Sequence, residues 1–173
     1  MVSGGQKFTR VGGTRTIVVG IAACEVSTDP RQILLTYALG SCVGVAIWNR
    51  KTHATALLHA MLPDSTLDAV RAKQNPHVFV DSGLAAMVAE MSASADSPRD
   101  LVVKIAGGAS LVDSARRFLV GEKNVAAVRT HIAKHGLTIE GEDTGGNGSR
   151  TMMLHAMTGR VSLRRGSEEI GHL

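Results

Sequence analysis

Short apolar runs, each closed by glycine, proline or a polar cluster, fill the first third of the chain. Residues 16–21 (TIVVGI), 33–38 (ILLTYA), 43–48 (VGVAIW) and 54–61 (ATALLHAM) read as strands, rich in β-branched and aliphatic side chains. The polar stretch 49–53 (NRKTH) reads as a hairpin turn between the last two. In a regular strand His59 shares a face with Leu57 and Met61, while Leu58 and Ala60 point the other way. Farther on the period changes. Asp81 or Ser82 can cap a helix running to Met91, and a strand is predicted over 101–106, ending in Gly107-Gly108. Val125, Val128, Ile132 and His135 recur three and four apart, so 121–135 is the clearest helix, stopped by Gly136. Strands follow at 137–140, 151–157 and 160–164, the last two joined by a turn at Thr158-Gly159; 142–150 is a polar glycine loop. The pattern is weak at 67–78, and 111–120, which carries Arg116 and Arg117, stays unassigned.

Strands in a run, followed by mixed strand and helix, predict an α/β or α+β layered domain with a largely antiparallel or mixed sheet. A Gly-rich basic arm over 1–15 precedes this domain at 16–165, and a loose tail over 166–173 follows it. No internal repeat or linker interrupts it.

At 173 residues and 44% hydrophobic, the chain can bury a core. Aromatics make up only 3%, too few to stack the bases of a single strand. The net charge of +4 is dispersed, and no basic helix or zinc-finger spacing accompanies it, which argues against nucleic acid as a partner. No apolar run is long enough to span a membrane, and residues 1–15 lack the apolar stretch of a secretory signal. Two cysteines without such a signal imply free thiols and a cytoplasmic setting.

Candidate chemistry centres on Cys42. It stands on a Leu39-Gly40-Ser41-Cys42 step between two apolar runs, with His59 on the next run. A thiol and an imidazole on neighbouring strands of one hairpin can meet side by side. The imidazole would take the proton and depress the thiol pKa, and backbone N–H groups around Gly40 and Ser41 could hold an oxyanion. Thr36, on the strand leading into Cys42, is a candidate to orient the base. The same residue types also fit a plain core role, as Cys24 does. Residues 40–44 (GSCVG) match the G-x-nucleophile-x-G elbow, but that elbow needs a helix after it and Val43 opens a strand. No metal is expected: the cysteines form no CxxC pair, and His131 and His135 have no third ligand in sequence. The glycine loops at 107–110 and 143–150 match no nucleotide-binding pattern, which leaves turns or an active-site wall, with Gly145 and Gly146 as wall candidates.

The strings ALGSCVGV, HAMLP, KIAGGAS, GEKNVAAV and EDTGGNGSR, in this order, resemble the CheD family of bacterial chemotaxis proteins over about residues 16–165. The resemblance implies a chemoreceptor glutamine deamidase, which hydrolyses selected Gln side chains of methyl-accepting chemoreceptors to Glu and releases ammonia through a Cys thioester. It implies Cys42 as nucleophile, His59 as general base and Thr36 as the third member, with no cofactor. It also implies a layered α/β sandwich with mixed sheets, similar to the catalytic domain of cytotoxic necrotizing factor toxins, and a CheC-type phosphatase as a possible partner. A non-catalytic docking module for such a phosphatase or for a receptor is the alternative.

Overall fold

The computed structural model describes residues 8–11, 14–110 and 119–173. Strands come first: β1 (Phe8–Val11), β2 (Thr14–Val18), β3 (Ala23–Ser27), β4 (Gln32–Leu39), β5 (Val43–Asn49) and β6 (Thr55–Ala60). Helices α1 (Ala69–Gln74) and α2 (Val80–Ser92) precede β7 (Leu101–Gly107), and α3 (Val120–Lys134) precedes β8 (Ile139–Thr144), β9 (Arg150–His155), β10 (Val161–Arg165) and β11 (Glu168–His172).

The strands form two mixed sheets. One has the order β1-β2-β4-β9-β10-β11 and the other β3-β6-β5-β7-β8. Only β2–β4 and β7–β8 pair in parallel; the remaining pairs are antiparallel. Because side chains alternate along a strand, the central sheet buries both faces. Leu58 and Ala60 of β6 face the helices, packing with Val80, Leu84 and Met87 of α2 and Val125, Val128 and Ile132 of α3. Leu57 of β6 and Ala46 of β5 face the six-stranded sheet, against Leu34 and Leu39 of β4 and Met152 and Leu154 of β9. The layers are therefore sheet, sheet, helices, and the expected layered α/β class holds.

Several segments differ from the expectation. Cys24 lies on strand β3, an edge strand half-open to solvent whose sequence ACEVS carries little alternation. The polar loop predicted at 142–150 starts later, since β8 runs on to Thr144 beside β7. Helix α2 starts at Val80, and neither proposed cap acts as one: Asp81 accepts from the Ser65 N–H and hydroxyl, and Ser82 donates to the Pro76 carbonyl. The weak stretch 67–78 holds α1 between two 3-10 turns, with Asp64, Asp68 and Asn75 each accepting a backbone N–H at a start. Strand β11 occupies the tail, and β1 lies within the segment read as an arm. Residues 1–7, 12 and 13 of that arm and 111–118 of the unassigned stretch lie outside the described residues.

Helix α3 begins hard against the loop after β7. A Cβ on Gly121 would stand 2.5 Å from the Gly108 carbonyl oxygen and 2.7 Å from that of Ala109. Alanine gains about 1 kcal/mol over glycine in a helix interior, whereas overpacking against backbone costs about 1–3 kcal/mol. The clash wins: Gly121→Ala is expected to lower the urea midpoint, while Gly136→Ala, which meets nothing, moves it only through its left-handed backbone.

Candidate active site

Three chain segments meet where β4 leaves one sheet and β5 enters the other. The crossing is the Gly40-Ser41-Cys42 step. Strand β4 is irregular there: its pairing with β9 shifts between Thr36 and Leu39, and Ala38 takes a positive φ of 58°. That break lets the chain leave the six-stranded sheet. Strand β5 then pairs antiparallel with β6, setting Gly44 opposite His59. Cys42, two residues before Gly44, falls on the same face as His59, the one turned to the other sheet. It packs there, half-buried, with the cluster that contains Leu57.

His59 is fully buried. Its ring meets Thr36 across the gap between the sheets, with Oγ1 2.7 Å from Nδ1. The Thr36 hydroxyl also donates to the Val19 carbonyl at 2.9 Å. A hydroxyl has one proton, and Val19 holds it. Thr36 Oγ1 therefore accepts from His59, which fixes the tautomer: Nδ1 carries the proton and Nε2 carries the lone pair. Nε2 is buried and has no hydrogen-bond partner within the protein. The arrangement is thus a base with its back nitrogen anchored and its front nitrogen bare, on the face that holds the Cys42 thiol.

Burial governs both titrations. It lowers the His59 pKa from 6.5 to about 4, and it pushes the Cys42 thiol up, with the cysteine's own backbone N–H pulling weakly down. The depressed thiol expected from the sequence is not found, because a half-buried sulfur loses more from desolvation than it gains here. At neutral pH the two groups rest as a thiol and a neutral imidazole, and Nε2 makes no hydrogen bond to the Cys42 sulfur. Cys24 is held higher, at about 12, by burial and then by Glu90 and Glu25, and packs as a partly buried hydrophobe.

A buried neutral histidine ties stability to acid. Between pH 6.5 and about 4 the unfolded chain binds a proton at this position and the folded chain does not. Stability from His59 is complete above 6.5 and falls as pH drops through that window, by about 3 kcal/mol in all. Burial also lowers His77 and His155. Urea unfolding of the wild type and of His59→Gln at several pH values isolates the share of His59, as the difference in acid slope.

The glycine rim is interlocked. Gly40 and Cys42 offer their carbonyls to the N–H groups of Ala109 (2.7 Å) and Gly108 (2.8 Å) in the loop after β7. That loop in turn holds the loop after β8: the Gly145 N–H donates to Gly107 O (2.9 Å), and Ser110 N–H to Gly146 O (2.9 Å). Gly107 has φ of +105°, and a Cβ there would collide with the Cys42 carbonyl. Arg150, almost fully buried, ties the same loop through Asp143 and the Gly145 carbonyl, each at 2.8 Å. Gly145 and Gly146 thus stand one loop away from Cys42. The N–H groups of Gly145 and of Gly40, which bonds Ala38 O, are already engaged.

Asn124 of α3 was not singled out by the sequence. It is fully buried, and its Nδ2 donates to Ser41 O and Met61 O, both at 2.9 Å. An asparagine among the apolar positions of a helix was the available signal.

Among known proteins, the family model for CheD chemotactic sensory transduction matches residues 61–165. A Solibacter usitatus protein named probable chemoreceptor glutamine deamidase CheD is 40% identical over 153 residues, covering 88% of this chain and 90% of its own. In a chain of 173 residues, an alignment that long takes in Thr36 to His59 wherever it begins. Relatives of the same name from Syntrophus aciditrophicus and Thermococcus kodakarensis are each 40% identical, covering 86% of this chain and 92% of theirs. A crystal structure of Neisseria meningitidis protein NMB0706, of family-model DUF152, aligns with a TM-score of 0.42 and 12% identity over 75% of this chain and 63% of that one. This chain belongs to the CheD family.

Proposed function

We propose that this protein is a chemoreceptor glutamine deamidase: it hydrolyses Gln side chains of methyl-accepting chemoreceptors to Glu and releases ammonia. The relatives' names support the reaction and the substrate class. The observation that carries the chemistry is the hydroxyl of Thr36, whose one proton is committed to Val19, leaving a bare Nε2 on His59.

Cys42 is the nucleophile. Its thiol proton passes to His59 Nε2 as sulfur bonds to the Gln carboxamide carbon. Negative charge moves onto the carbonyl oxygen, where the backbone N–H of Cys42 stabilises it. The tetrahedral species collapses. The C–N bond breaks, His59 returns the proton to nitrogen, and ammonia leaves a thioester on Cys42. His59 then takes a proton from water, hydroxide adds to the thioester carbon, and the C–S bond breaks as His59 returns that proton to the sulfur, giving Glu and the restored thiol. Proton count is even across each half, so the neutral resting pair suffices.

The substrate, a receptor's signalling region, places the reaction in the cytoplasm. No helix among the described residues is long and apolar enough to cross a membrane. A CheC-type phosphatase as partner rests on the family resemblance.

The test is direct. Receptor cytoplasmic fragment incubated with the protein should gain the mass of amide-to-acid conversion at defined Gln residues, with matching ammonia release. An unchanged fragment, with the protein folded, would reject the reaction. Turnover of free glutamine in place of the fragment would redirect it to small amides.

A further inference from the structure

We infer that Asn124 is the positioning residue that aims the oxyanion-binding N–H of Cys42. The inference rests on the proposed role of Cys42 and goes beyond it.

The three carbonyls at the crossing are each held from the side of α3 and the loop after β7. Gly40 O accepts from Ala109 N–H, Ser41 O from Asn124 Nδ2, and Cys42 O from Gly108 N–H. Only the middle one is held by a side chain. The Ser41 carbonyl and the Cys42 N–H belong to one peptide unit. That unit is planar and trans, as no cis bond occurs among the described residues, so the two groups point in opposite directions. Drawing Ser41 O towards α3 turns Cys42 N–H away from α3, towards the cysteine's own sulfur, where it is felt as the pull that lowers the thiol. A carbonyl attacked by that sulfur develops its negative oxygen beside the same N–H.

The second Nδ2 proton reaches Met61 O, two residues past His59. One amide group therefore ties the step before the nucleophile to the strand end that carries the base. Both of its donors are spent on carbonyls, a task an aspartate of the same shape cannot perform. Its Oδ1 is buried and unpartnered. A fully buried side chain that leaves its acceptor unsatisfied and spends both donors at one place is held there at a cost, as groups serving a site often are.

Iodoacetamide provides the separating readout. Alkylation of Cys42 needs the sulfur and His59 but forms no oxyanion, whereas deamidation needs all three. In Asn124→Ala, kcat for receptor fragment should fall at least about 10-fold, well beyond any slowing of Cys42 alkylation, with KM unchanged. Competent sites are counted by alkylation, so a partly folded preparation still gives kcat per site. Asn124→Asp should recover activity as pH is lowered and the acid regains one O–H donor. Equal loss of alkylation and deamidation, or full deamidation in both variants, overturns the inference. Should neither variant fold, the unsubstituted protein decides. A receptor peptide bearing a glutamyl aldehyde adds the Cys42 thiol across its C=O, forming the C–S bond and passing the thiol proton through His59. The Cys42 amide resonance should move downfield, and an unmoved Cys42 amide overturns the inference. If Cys42→Ala retains deamidation, the parent reading fails instead, whatever Asn124 does.

Discussion

Cys42→Ala is expected to abolish deamidation, a loss of at least about 10⁴-fold, while leaving the fold and receptor binding intact. The size follows from the mechanism. Without sulfur there is no thioester, and water must attack an unactivated amide in a site built around a side chain that is missing. The small change in volume falls on a half-buried residue at the rim of the inter-sheet cluster, so little packing is lost. A pull-down of receptor fragment that survives the substitution, with no mass gain in the fragment, separates loss of chemistry from loss of binding. Conversion at the wild-type rate would remove Cys42 from the reaction; receptor binding with no ammonia released from any receptor, even by the unsubstituted protein, would favour the docking-module alternative.

The next largest effect belongs to His59. Substitution by glutamine should cost about 10³- to 10⁴-fold in kcat, since one nitrogen serves as base and then as acid in both halves. Thr36 should cost less, and its conservative variants should rank. In Thr36→Val the hydroxyl is gone, Nδ1 loses its acceptor, and the tautomer with the proton on Nε2 becomes accessible. Thr36→Ser keeps the hydroxyl and should retain most activity. The order wild type, Ser, Val, with folding unchanged, is the signature of tautomer control; equal activity in Ser and Val variants contradicts it. Because burial lowers His59 and raises Cys42, the wild-type protein at pH 7 should show no thiolate absorbance from Cys42. A thiolate band at that pH, lost in Cys42→Ala, would mean a resting ion pair instead.

The strands that carry the site were legible because both faces of the central sheet are buried. Val43 to Trp48 and Ala56 to Leu58 are continuously apolar, and those runs are visible without a structure. For the same reason His59 stood out, as a buried imidazole in a strand otherwise free of titratable groups. Edge strands left no such trace. Glu168–His172 is mostly exposed and held by backbone pairing to β10, so nothing in its side chains required a strand. Asp64, Asp68 and Asn75 were readable as caps, yet without an apolar stripe behind them they resembled a polar loop.

Thr36, Cys42 and His59 could be named as candidates from the sequence, but the contacts around them could not. Thr36 was placed on the strand before Cys42, but its reach to His59 crosses from one sheet to the other, a distance in sequence that no local period encodes. Asn124 acts from a helix far along the chain, through backbone carbonyls that have no side-chain signature. The raised thiol was hidden for a related reason: desolvation depends on the packing around the residue, and Cys42 packs against a cluster drawn from β2, β4, β5, β6, β7, β9 and β10.

Trapping the covalent intermediate tests the central claim most directly. Receptor fragment mixed with the protein, quenched in acid and digested, should yield a Cys42 peptide joined to a receptor Gln-site peptide by a thioester, with ammonia already released and the adduct cleaved by hydroxylamine. Rapid deamidation with no adduct on Cys42 at any quench time, and undiminished in Cys42→Ala, would contradict the account.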